Sequence, residues 1–121
     1  MASYLHYARV AMLHGIDNHL EHYMDLLSAR QKIVASNIAN ADTPGYKTQD
    51  LDFRAEFQAA AGVPHPIPVS GLPVKNDGNN VSLDREARLL AENALRFNLA
   101  SNLMHSELAT IKEAIHEGKS S

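Results

Sequence analysis

The sequence predicts a mainly α fold, in which two long amphipathic helices, N- and C-terminal, pair as an antiparallel coiled coil around an extended proline-rich central segment. Three observations carry this expectation. Apolar residues recur at alternating spacings of four and three near both ends of the chain. A Pro-Gly turn signal closes the first of these runs, and four of the five prolines fall together between the two.

The first run spans Asp17 to Ala41. Leu20, Met24, Leu27, Val34 and Ile38 keep the helical period, with one polar break at Gln31. Asp17 or Asn18 is the expected N-cap, and Gly15 the expected interruption before a shorter helix over residues 4–13. The run then changes character. Asn37 and Asn40 lie three apart on one helix face, where amides add little to an exposed helix. Thr43-Pro44-Gly45-Tyr46 follows as a turn: Pro44 sets φ for its second position and Gly45 supplies the positive φ of a type II turn. Two readings are open at this point. The amides belong to a fraying helix end, or they hydrogen-bond a specific partner across a packed surface.

Residues 50–61 can hold a short helix with Phe53 and Phe57 on one face. The stretch from Gly62 to Pro73 contains Pro64, Pro66, Pro68 and Pro73, and lost donors with locked φ predict extended, polyproline-like chain. Asn76-Asp77-Gly78-Asn79-Asn80 is a turn cluster, with short strands possible around Val74 and Val81. The last helix is the most regular element. Leu83, Ala87, Leu90, Ala94, Phe97, Ser101, Met104, Leu108, Ile111 and Ile115 define its seam. Ser82 is the expected cap and Gly118 the expected stop. The organisation expected is a helical region 1–42, a turn and partly flexible central segment 43–81, a helix 82–117 and a polar tail 118–121.

Composition removes whole classes of function. The chain has 121 residues, a net charge of −3 and no cysteine. Eleven basic residues are scattered among fourteen acids, so no face suited to nucleic acid is expected. No apolar stretch is long enough for a membrane span, and the N-terminus lacks the pattern of a cleaved secretory signal. Seven histidines invite a metal, yet His19, Glu21 and His22 form no known ligand spacing, and Glu113 with His116 is a single step where a di-iron bundle needs more. No nucleophile or phosphate-loop motif occurs, so neither an enzyme nor a cofactor is expected.

The run Ala35–Lys47, with Ser-Asn-Ile-Ala-Asn leading into Thr-Pro-Gly-Tyr, resembles the signature of flagellar axial proteins, the rod, hook and hook-associated subunits. Ser28-Ala29-Arg30-Gln31 upstream also looks like the rod members. Larger members insert β-rich domains and close with an Ala-Gln-Arg-Ala-Tyr-like helix, both missing here. The stretch Asp77–Glu86 followed by Ala91–Phe97 is similar to the small proximal-rod members of the flagellar basal-body rod protein family.

The resemblance implies a structural subunit of the periplasmic rod that transmits torque for motility. It would leave the cell through the flagellar type III export apparatus without a cleaved signal. Implied partners are other rod subunits, the adaptor protein at the rod base and the membrane-ring protein. Within that frame Asn37, Ile38, Asn40, Thr43, Pro44, Gly45 and Tyr46 are expected at a subunit interface, where a buried amide fixes register. A small helical adaptor or chaperone-like binding module is the alternative, and it explains the seams but not the Ala35–Lys47 run.

Overall fold

The fold is known from a computed structural model that describes residues 2–59 and 62–120. Two helices of equal length dominate it, α1 over Ala2–Ala39 and α3 over Leu83–Ser120. Each extends roughly 57 Å at ~1.5 Å per residue. They run antiparallel: Asn37 meets Glu86, Gln31 meets Asn93, and Arg9 meets Glu117. Between them lie the two-residue strand β1 (Gln49–Asp50), helix α2 (Phe53–Ala59) and the two-residue strand β2 (Ile67–Pro68). The strands pair antiparallel, with Gln49 opposite Pro68 and Asp50 opposite Ile67.

Several local expectations hold. Ser82 caps α3, its Oγ accepting the Arg85 N–H at 3.2 Å. The turn closes as Tyr46 N–H donates to Thr43 O at 3.2 Å, with Gly45 at φ +75°. Helix α2 presents Phe53 and Phe57 edge-on to Tyr23 of α1, at ring-centroid separations of 5.4 and 6.1 Å. Asp52 caps it through the Ala55 N–H. Residues 60 and 61 of the segment expected to be helical lie outside the described residues, as does Ser121 of the expected tail.

Other expectations are corrected. Gly15 does not interrupt the first helix, which is continuous from Ala2, and Gly118 does not stop the last, which continues to Ser120. An isolated glycine costs a helix only ~1 kcal/mol, which the turns on either side of it offset. Gly118 has a packing use as well: a Cβ there would lie 2.3 Å from His6 Nε2 on α1. Strands do not form around Val74 or Val81. They form instead where the chain leaving the turn meets the proline-rich segment, extended by the Val69 N–H bond to Thr48 O at 2.9 Å.

The helix interface is rotated from the expected seam by one line of residues. On α1 the lines facing inward are Leu27–Val34 and Arg30–Asn37, so the Met24–Gln31–Ile38 line stands aside. On α3 the lines Glu86–Asn93–Ala100–Ala114 and Phe97–Met104–Ile111 face inward. Leu83, Leu90, Leu108 and Ile115 lie on the flank and are exposed. The chain between the helices packs on the side where Arg30, Asn37 and Glu86 emerge. The other side of the hairpin stays bare.

Candidate functional site: a polar joint and a bare apolar face

Where α1 ends and α3 begins, the interior is polar. Asn37 is fully buried and makes four hydrogen bonds, all within the chain. Its Nδ2 donates to Gln49 O at 2.8 Å and to Glu86 Oε2 at 3.1 Å. Its Oδ1 accepts from Tyr46 OH at 3.0 Å and from the Gln49 N–H at 3.1 Å. An asparagine side chain has capacity for two donated and two accepted bonds, so this amide is saturated. It ties helix end, turn, strand and opposite helix at one point.

Two turns before Asn37 along the same face, Arg30 reaches the same strand. Its Nε and Nη2 each donate to a different oxygen of Asp50 at 2.9 Å, a two-pronged pairing. Arg85 adds a bond to Asp50 Oδ2 and another to Glu86 Oε1, both at 2.7 Å. Two cations and two carboxylates thus share one site, so no buried charge is left alone. Burial drives the Asp50 carboxyl upward in pKa, but hydrogen bonds from Arg30 and the Leu51 N–H, with Arg30's charge and Arg85 behind them, hold it below its ordinary value.

The two loops of the joint are laced by asparagines. Asn79 Nδ2 donates to Asn40 O at 2.9 Å and Thr43 O at 2.8 Å, adding a second donor to two carbonyls that already close the turn after α1. Asn80 Oδ1 accepts the Thr48 N–H at 2.6 Å. Gly45 and Gly78, both at positive φ, pass close enough that a Cβ on Gly78 would lie 3.4 Å from Gly45 Cα. Lys47 Nζ donates to Gly78 O across the same gap.

The residues expected at an interface therefore divide. Asn37 is buried and used internally, and Tyr46 is half-buried against it. Asn40 folds back on Ser36 O and accepts from Thr43 Oγ1. Ile38, Thr43, Pro44 and Gly45 are exposed. Of the expected seam, Leu27 and Val34 are buried; Leu20, Met24, Phe97, Met104 and Ile111 are half-buried. Leu83 is 56% exposed, and Leu90, Leu108 and Ile115 are exposed along the same flank. Between the helices, Leu27, Gln31 and Lys32 of α1 and Asn93, Ala94 and Phe97 of α3 line a groove of about 440 Å³.

Sequence reasoning missed Arg30, Thr48, Asp50, Asn79, Glu86 and Asn93 as structural centres. A signal was present: Arg30 and Asn37 stand seven apart, as do Glu86 and Asn93, so polar residues repeat at the coiled-coil period. Among the described residues no group of three or more His, Cys, Asp or Glu could hold a metal ion, and no helix is long and apolar enough to cross a membrane.

Comparison with known proteins fits this arrangement. The family model described as flagella basal body rod protein matches residues 24–47, which is the inner end of α1 with the joint's turn. The flagellar basal body rod protein FlgB of Salmonella typhimurium is 31% identical, covering 78% of this chain and 88% of that one. FlgB of Borrelia hermsii is 30% identical over 77% of this chain and 90% of its own, and FlgB of Escherichia coli 27% over 78% and 88%. With 31% identity to a relative covered over 88% of its length, the chain belongs to the FlgB family of flagellar basal-body rod proteins.

Proposed function

We propose that the chain is a structural subunit of the flagellar basal-body rod, assembling with other rod components through the bare flank of its helix hairpin. One observation carries the mode of assembly. The polar joint is covered and self-satisfied, whereas the apolar side chains of Leu83 and Leu90, and farther along α3 of Leu108 and Ile115, are left open. Large apolar side chains left exposed at both ends of a long helix mark a surface that another helix covers. The exposed Ile38 and Thr43–Gly45 corner extends this surface at the joint end.

The joint supplies stiffness. A subunit that transmits torque must keep its two helices in fixed register, and paired, buried polar groups specify register better than interchangeable leucines do. Asn37 acts in this reading as an internal pin that shapes the interface, with Ile38, Asn40 and the turn presented beside it. The rod-base adaptor, the membrane-ring protein and the type III export apparatus are the neighbours this role calls for, in a periplasmic rod. The role is mechanical, and no catalytic step is assigned.

The test is a pair of charges on the flank. Leu83→Asp with Leu108→Asp should leave the isolated chain's unfolding free energy within about 0.5 kcal/mol, because both side chains are already exposed. Cells relying on that variant should lose motility on soft agar. Full swimming by the double variant would overturn the reading.

A further inference from the structure

Helix α3 is apolar on a second face, away from α1. Leu95, Leu99 and Leu103 recur every four residues as one ridge and are 61%, 60% and 48% exposed. A helix apolar on opposed faces is covered on both in its working state. The ridge has a counterpart on the same molecule, the groove lined by Leu27, Gln31, Ala94 and Phe97. Both lie at one height along the hairpin, because the register that sets Gln31 beside Asn93 sets Lys32 level with residue 92.

Charge follows the same match. Lys32 stands at the rim of the groove, and Glu92, three residues before Leu95, stands on the ridge face. Both are exposed, and neither takes part in an ion pair among the described residues. A neighbour placed alongside in the same orientation brings Glu92 to Lys32 while its Leu95 and Leu99 enter the groove.

On the rod-subunit reading above, we propose that the groove between the helices receives the Leu95–Leu99–Leu103 ridge of a second copy of this chain. The contact is heterologous, groove to ridge, so each copy keeps one half free and the association propagates side by side. Lys32 and Glu92 fix its register.

The chain has no cysteine, so an introduced pair reports without background. Two tagged full-length forms, one with Ala94→Cys and one with Leu95→Cys, are co-expressed, and isolated basal bodies are oxidised gently. A disulfide needs Cβ atoms within about 4.5 Å. The mixed dimer should dominate, should be lost with Lys32→Glu and should return when Glu92→Lys is added. Homodimers alone, or no dimer from basal bodies that contain the chain, overturn the groove-to-ridge contact and leave the rod reading standing. A mixed dimer insensitive to both charge changes overturns the assigned register. Absence of the chain from basal bodies overturns both readings.

Discussion

The two ends of the hairpin are built on opposite principles. At the joint, Asn37, Thr48, Asp50, Asn79, Glu86 and Asn93 are buried, and each has hydrogen-bond partners. Leu26, Leu27, Val34, Leu51 and Val81 pack around them. At the free end, Ala114 is the buried apolar residue among those described, and Asp17 Oδ1 and Glu107 Oε2 are buried with no hydrogen-bond partner. These two carboxylates lie at the same height across the helix pair, since the register of Gln31 with Asn93 extends to them. Arg9 and Glu117 are joined by an exposed 3.6 Å ion pair, a type worth little. Stability within one fold follows buried apolar contact and polar satisfaction, so the helices are pinned at the joint and loosely held at their free ends.

That contrast can be broken most severely at Asp50. Asp50→Asn leaves Arg30 and Arg85 facing a neutral partner in a site only partly open to water, and the expected loss is about 3 kcal/mol by urea unfolding. The pH dependence has a definite sign. A carboxyl held below its ordinary value in the folded chain stabilises it fully above the unfolded value, and that contribution disappears as pH falls through the folded one. The urea midpoint of the wild-type chain should therefore fall between pH 5 and the acid limit, and Asp50→Asn should flatten that part of the curve.

Asn37→Ala comes next. It strands the Gln49 N–H and the Tyr46 hydroxyl, and about 2 kcal/mol should be lost in the isolated chain. An amide serving a subunit junction alone would leave the isolated chain unchanged, so the same titration separates the two roles. The smallest effect is expected at the other end. Glu107→Leu replaces a half-buried carboxylate, one oxygen of which is buried without a partner, by an apolar side chain and should stabilise the chain by about 1 kcal/mol. Loss of stability there would show that Glu107 is satisfied and that the free end is not the weaker one.

Much of the fold was legible in the residues. The helical period gave both helices, Thr43–Tyr46 gave the turn, and Leu27, Val34, Phe97, Met104 and Ile111 were placed on inward lines. The adjoining line was misjudged on both helices for one reason. Apolar spacing selects Gln31–Ile38 and Ala87–Ala94 as natural partners, but Arg30, Asn37, Glu86 and Asp50 satisfy one another only when the helices roll toward them. Complementarity between side chains 49 residues apart leaves no periodic trace. The pairing of β1 with β2 was hidden likewise, because two-residue strands are too short for an alternating pattern. Gly15 and Gly118 read as breaks because propensity is local, while helix continuity is settled by the turns around them.

Native-state amide hydrogen exchange, resolved by residue on the isolated chain, tests the contrast between joint and free ends most directly. Amides of residues 26–37 and 86–100 should exchange at rates approaching those of global unfolding, and those of residues 4–16 and 108–118 orders of magnitude faster. Equal protection along both helices, or slower exchange at the free ends than at the joint, would contradict the account.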